Sequence, residues 1–301
     1  MKRFVLFVLV NLVVTLTLVA IATLVGVRPY LTQYGIDYTH LAYFCLIWGM
    51  GGATISLMLS RKFAVWGMGV KVIDPKRATA PERDLLHLVH GIAKRAGMRH
   101  MPQVGIFPSN QVNAFATGPS QKRSLVAVSQ GLLTEMESGE IEAIIGHEIT
   151  HITNGDMITM TLLQGIINAF AMFAARILAV ALGGGRGKNS SRRPNYMLVY
   201  LFEIVFMILG SIITCWFSRK REYKADAGGA HLSSTSKMID ALRHLDRIHN
   251  PDKSDIPESM AALMAKPIRK NGLSLFRTHP PLADRIKMLE QRAHGALRAA
   301  D

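Results

Sequence analysis

The stretch AIIGHEITHI, Ala143 to Ile152, holds two histidines four residues apart, with a glutamate directly after the first. The positions between and beside these three residues are all uncharged. Positions four apart sit one above the other on a single helix face. His147 and His151 can therefore direct two imidazole nitrogens at one tetrahedral zinc ion, at about 2.0–2.1 Å each. Glu148 lies one step round from His147, where a carboxylate can take a proton from an attacking water. Three residues of this kind can coincide by chance, so the reading needs a third metal ligand from elsewhere in the chain.

Around this stretch the chain is 301 residues long, 49% hydrophobic, and carries a formal charge of +14. The apolar residues are concentrated in a few long runs, which points to a membrane protein with one soluble domain rather than a large soluble core. Many lysines and arginines flank those runs, as membrane topology and anionic headgroups would require. A basic, aromatic-interleaved surface or a base-reading motif is missing, so nucleic acid is not the expected partner. Cys45 and Cys215 both fall inside apolar runs. They offer neither a disulfide framework nor a C-x-x-C zinc site.

Phe4 to Val27 is uncharged and long enough to span a bilayer. A second run, Leu41 to Ser60, contains Gly49, Gly51 and Gly52, small residues that permit close helix contact. Arg61, Lys62, Lys71, Lys76 and Arg77 follow it, whereas the loop between the two runs has only Arg28 and Asp37. This asymmetry places the N-terminus and the region after Ser60 in the cytoplasm. Pro81 to Gly97 then has amphipathic helical spacing, with Leu85, Leu88, Val89, Ile92 and Ala96 on one stripe. His87 and His90 on this helix are expected in ordinary surface or packing roles. Gln103 to Phe107 and Leu125 to Val128 read as short strands flanking NAFATG, Asn113 to Gly118. Gly131 to Met136 begins another helical stretch.

Immediately after His151, Asn154-Gly155 supplies a helix stop or bend. A third apolar run, Met157 to about Leu182, and a fourth, Met197 to Ser218, enclose a basic loop. Each run contains one charge, Arg176 or Glu203, equally far from the middle of that loop. Charges inside a membrane are costly and usually paired, so these two are expected to face each other. The loop itself contains Arg186, Lys188, Arg192 and Arg193, which opposes a simple positive-inside assignment. A spanning hairpin and a shallow interfacial one both remain open, and each returns the chain to the side it left.

That return delivers SRKREYKAD, Ser218 to Asp226. Glu222 is the best candidate for the third ligand. Asp226, one helical turn on, can then hydrogen-bond the far nitrogen of a ligating histidine and fix its tautomer. Beyond it come an amphipathic helix with Met238, Ala241, Leu242, Leu245 and Ile248 on one side, a polar loop from Asn250, the segment THPPLADRI from Thr278 to Ile286, and a basic C-terminal helix.

NAFATG, IGHEITHITNGD, SRKREYKADAGGA and THPPLADRI, in this order along the chain, resemble the HtpX-type membrane zinc metalloproteases, bacterial relatives of the CAAX prenyl proteases within the gluzincin class. The resemblance covers essentially the whole chain. It implies one zinc ion held by His147, His151 and Glu222, with Glu148 as general base and Asp226 behind a ligand. It further implies that Asn113 and Ala114 belong to an edge strand holding substrate backbone. His279 would stabilise the oxyanion and Arg285 would support Glu222.

The expected fold is a mostly α membrane protein with about four transmembrane or hydrophobic helices and an α+β zincin (gluzincin) catalytic domain containing a small sheet. Its expected parts are an N-terminal pair of membrane helices (1–60), the first catalytic part (61–156), the hydrophobic hairpin (157–218) and the second catalytic part (219–301). The resemblance implies a zinc endopeptidase of the bacterial inner membrane, with N-terminus and catalytic domain in the cytoplasm. Its implied substrates are misfolded or damaged membrane proteins, in quality control under stress. Processing of a defined substrate, as in prenyl-protein maturation, is the enzymatic alternative. A non-catalytic scaffold with a structural zinc is the other, and Glu148 argues against it, because a structural site has no use for that carboxylate. Partners are protein substrates and the lipid bilayer; the sequence leaves oligomeric state open.

Overall fold

A computed structural model of the chain describes residues 31–32, 35–183, 195–249 and 275–298. The first apolar run, the basic loop with Arg186 to Arg193 and the polar stretch from Asn250 lie outside the described residues. Contacts divide the chain into two units. One comprises the residues up to Leu59 together with Ile158–Thr214; the other comprises Ser60–Met157 and the residues from Cys215 onward.

In the first unit a two-residue ladder, β1 (Leu31–Thr32) with β2 (Gly35–Ile36), precedes helix α1, Tyr38–Gly67. Asp37 starts this helix, its carboxylate accepting from the Thr39 and His40 amides at 3.0 Å. The small residues predicted to allow close contact do so at one position. A Cβ on Gly49 would sit 2.5 Å from the Ala169 backbone nitrogen and 2.8 Å from the Gly165 carbonyl. Around Gly52 the space is open.

The second unit holds a four-stranded sheet and the helices packed on it. After α1 come β3 (Lys71–Val72), α2 (Ala80–Arg95), β4 (Gln103–Phe107), β5 (Ala114–Thr117) and β6 (Leu125–Ser129). The strand order is β3-β4-β6-β5, with β4 and β6 parallel and the other pairs antiparallel. β6 is buried along its whole length, which its unbroken apolar run Leu125 to Val128 requires. β5 therefore ends the sheet as an edge strand. Its alternation is visible: Ala114 and Ala116 pack on the main core, while Phe115 packs on the opposite side with its ring 5.5 Å from that of Phe107.

Ser129 closes β6 and caps the short helix α3, Gln130–Glu135, by accepting from the Leu132 amide. The same oxygen accepts from the Asn113 amide at 3.0 Å, and the Ser129 amide donates to the Asn113 carbonyl. The start of β5 is thereby pinned to the sheet. Helix α4, Ser138–Thr153, follows. It buries Ile145 and Ile149 completely, one turn apart, each contributing roughly 1.5–3 kcal/mol of transfer free energy.

Gly155, at φ +66°, breaks the chain between α4 and α5, Asp156–Gly183. This left-handed conformation favours glycine, as the Asn154-Gly155 signal predicted. Helix α6, Tyr196–Leu232, does not stop where its apolar run ends at Ser218. Lys, Arg, Glu and Ala continue it without a breaker through REYKAD, so the third-ligand segment is the far end of the fourth apolar helix. Helices α7 (Thr235–His249) and α8 (Leu282–Arg298) complete the unit. Met238, Ala241 and Leu242 of α7 are buried as their spacing predicted, whereas Ile248 is exposed. Three helices, α1, α5 and α6, are long and apolar enough to cross a membrane among the described residues.

Candidate metal centre

Where α6 crosses α4, three glycines let the two backbones touch. A Cβ on Gly228 would fall 2.3 Å from Oγ1 and Cγ2 of Thr150; one on Gly229 would fall 3.0 Å from the His147 nitrogen. From the other side, a Cβ on Gly146 would come within 3.2 Å of the Gly229 Cα. Thr150 cannot swing away cheaply, since its hydroxyl donates to the Gly146 carbonyl at 2.8 Å. This crossing brings Glu222, nearly two turns earlier on α6, against the two histidines of α4.

Nε2 of His151 lies 3.1 Å from Nε2 of His147, and 3.4 Å from Oε1 of Glu222. Oε2 of Glu222 lies 3.7 Å from Nε2 of His147. All three residues are buried, and their donor atoms fall within 4.8 Å of one another. Ligands about 2.0–2.1 Å from a tetrahedral zinc ion stand roughly 3.3–3.4 Å apart. The donor set and its spacing fit a zinc ion.

Behind each histidine stands an aspartate. Nδ1 of His147 is 2.9 Å from Oδ1 of Asp226, though off the line of the ring N–H. Asp226 also accepts two hydrogen bonds from Arg285, at 2.7 and 2.5 Å. Nδ1 of His151 is 2.5 Å from Oδ2 of Asp156, which in turn lies 3.2 Å from Nε of Arg221. Asp156 and Arg221 had no role in the sequence reading, which took Asn154-Gly155-Asp156 only as a turn. The one available signal was an acid just past a glycine kink, a short distance from a candidate ligand.

The electrostatics follow from burial and these partners. Desolvation alone would raise the Glu222 and Asp226 carboxyls, but the His151 and His279 rings beside the first, and the Arg285 hydrogen bonds with the His147 ring beside the second, hold both below the usual range. Burial likewise opposes charging of His151, yet its bonds to Asp156 and Glu222 raise the imidazole to about 9. Glu148 differs. Desolvation raises its carboxyl, against the pull of His147 and His151, while the helix that carries it packs against β5.

His279 places Nδ1 2.8 Å from Oε2 of Glu222 while its side chain remains 66% exposed. The segment carrying it is anchored on α6: Arg219 donates to the Leu275 and Arg277 carbonyls at 3.0 and 2.7 Å. Arg285, expected beside Glu222, is 3.7 Å from it, with its two short bonds on Asp226 instead. Ala114 opens the edge strand β5, and Asn113 directly precedes it. In the other unit, Nη1 of Arg176 lies 3.7 Å from Oε2 of Glu203, and its guanidinium packs over the Phe44 ring. His90 bonds the Pro102 carbonyl and His87 is exposed, so neither joins the metal cluster.

Fold and site together define a membrane metallopeptidase. The model of peptidase family M48 matches residues 79–293, and the chain belongs to that family. A Protease HtpX homolog of Bacillus licheniformis is 45% identical over 299 residues, covering 97% of this chain and 99% of its own. Protease HtpX of Idiomarina loihiensis is 44% identical over 296 residues, covering 97% and 100%. Among solved structures, that of S. mikatae Ste24p superimposes with a TM-score of 0.58 at 17% identity, over 83% of this chain and 58% of that one.

Proposed function

We propose that the protein is a zinc endopeptidase of the bacterial inner membrane, with its catalytic part in the cytoplasm, that cleaves exposed loops of misfolded or damaged membrane proteins. The observation that carries this is the three-donor cluster of His147, His151 and Glu222, with Glu148 directly after His147 on a helix that packs against the edge strand β5. Zinc bound by His147, His151 and Glu222 supplies Lewis acidity for peptide hydrolysis. Glu148 takes the proton from the attacking water and passes it to the leaving amine, a task suited to a carboxyl whose burial raises its pKa. His279 stands at the cluster's exposed side and donates to the developing oxyanion. Asp226, held by Arg285, fixes the orientation of His147.

β5, with Asn113 and Ala114 at its start, receives an extended peptide by strand addition. Such binding reads backbone more than side chains, which favours unfolded segments of many proteins. The basic residues after Ser60 support the cytoplasmic orientation, and the Arg176–Glu203 pair supports a hairpin that spans. The parts 1–60, 61–156, 157–218 and 219–301 act as anchor, first catalytic half, hairpin and second catalytic half. The test is digestion in proteoliposomes of one membrane protein in native and destabilised forms, beside unrelated destabilised proteins. Cleavage of the destabilised forms at many sites is expected. A single sharp product from one substrate would replace this reading with processing of a defined target.

A further inference from the structure

The two candidate ligand histidines have matching surroundings. His147 is followed by Asp226 and then Arg285; His151 is followed by Asp156 and then Arg221. The second chain is assembled from three helices: His151 on α4, Asp156 as the first residue of α5, and Arg221 on α6 beside Glu222. Asp156 is buried, and its side chain and that of His151 are each about a tenth exposed. The kink at Gly155 turns the chain back so that this carboxylate reaches the ring.

We infer that Asp156 is a positioning residue for the metal centre, and that Arg221 acts through it. Asp156 accepts the Nδ1–H of His151, which leaves Nε2 as the nitrogen that faces the two other donors and is available to a metal. Imidazole rings that lack such a partner are free to rotate and to take the other tautomer. Arg221, 3.2 Å from the same carboxylate oxygen, is the counter-charge that keeps Asp156 ionised. Because Arg221 directly precedes Glu222, one turn of α6 supplies both a metal ligand and the counter-charge behind another.

A plain alternative is that Asp156 only starts α5, where an acid in the first turn favours the helix. Asp156→Asn removes that charge too, but the dipole effect is worth only about 0.3–1 kcal/mol of helix stability and does not act on the metal. Metal affinity therefore separates the two roles. The inference rests on His151 holding the metal, so His151→Ala is measured alongside.

In the full chain in detergent, zinc dissociation constants are read by chelator competition, and Co2+ visible spectra report ligand geometry. Asp156→Asn is expected to raise the zinc dissociation constant about tenfold and Asp156→Ala towards a hundredfold, with an altered Co2+ spectrum. The helical circular dichroism of the metal-free Asp156→Asn form stays that of the wild type. Arg221→Met weakens binding less, and combining it with Asp156→Asn adds nothing to Asp156→Asn alone. Wild-type affinity in Asp156→Asn and Asp156→Ala, with binding collapsed in His151→Ala, would overturn the inference and leave the metal site standing. Full additivity of Arg221→Met with Asp156→Asn would refute the chain through Asp156. Unchanged binding in His151→Ala would instead refute the metal site itself.

Discussion

Replacing Gly228 by alanine tests whether the crossing of α6 on α4 builds the metal site. The new Cβ would stand 2.3 Å from both Oγ1 and Cγ2 of Thr150 and 2.9 Å from its Cβ. Carbon atoms in contact prefer about 3.5–4.0 Å, so roughly 1.4 Å must be found. The Thr150 hydroxyl is bonded to the Gly146 carbonyl, and a Cβ cannot rotate away, so the helices must part. Overpacking of this kind costs about 1–3 kcal/mol, against a helix-propensity gain of about 0.8–1.0 kcal/mol for Gly→Ala. The net expectation is a loss of about 0–2 kcal/mol. A metal centre tolerates about 0.2 Å in its ligand distances, so an ångström-scale shift of Glu222 should lower zinc affinity at least tenfold.

The control is Gly91→Ala on α2, where nothing lies within 4 Å of the added carbon. It should raise the thermal midpoint slightly and leave zinc untouched. Zinc content by elemental analysis and thermal unfolding in detergent check both variants. Adding Thr150→Ala to Gly228→Ala removes the two nearest atoms and should recover part of the lost affinity. If Gly228→Ala behaves like Gly91→Ala, gaining stability with full zinc affinity, the argument from backbone contact is wrong.

Three further outcomes follow from other parts of the unit. Glu142 bridges Arg95 on α2 and Lys237 on α7, each at 2.6 Å, so Glu142→Gln should cost about 1 kcal/mol by thermal or denaturant unfolding. The Lys237 hydrogen bond leads the interactions that lower the Glu142 pKa from its ordinary 4.5, so that stability is present above this pH and is lost as pH falls through the lowered value. The gap between wild type and variant must therefore close in acid; a gap that widens there contradicts the sign. Arg219→Met frees the Leu275 and Arg277 carbonyls that locate the His279 segment, and should lower kcat about tenfold or more with little change in zinc content. Equal kcat would show that the anchor does not matter. Chelation should lower the thermal midpoint: zinc at a hundred times its dissociation constant stabilises the folded state by about 2.7 kcal/mol. A chelator that leaves the midpoint unchanged would mean that no tightly bound metal supports the fold.

The features most legible in the sequence were local ones. The apolar spacing around His147 and His151, the continuous apolar strand Leu125 to Val128 and the stop at Asn154-Gly155 are each set by neighbours within a few residues. Arg176 opposite Glu203 was legible for a different reason, because burying either charge alone is too costly. Features created by contact between distant segments were obscured. Gly228 and Gly229 would ordinarily weaken a helix, and only the touching backbone of α4 explains why α6 runs through them. Asp156 looks like a turn residue until the Gly155 kink brings it to His151. The preference of Arg285 for Asp226 over Glu222 depends on which carboxylate faces α8, and spacing along the chain does not specify that.

Glu148→Gln addresses the central claim most directly. The amide keeps the size of the side chain but cannot accept the proton of water, and it leaves the three metal donors in place. Purified, zinc-loaded Glu148→Gln protein should retain one zinc ion per chain and lose peptide-bond cleavage by about 10²–10⁴-fold, the scale of lost acid–base catalysis. Wild-type proteolysis by this variant, with zinc fully bound, would contradict the account.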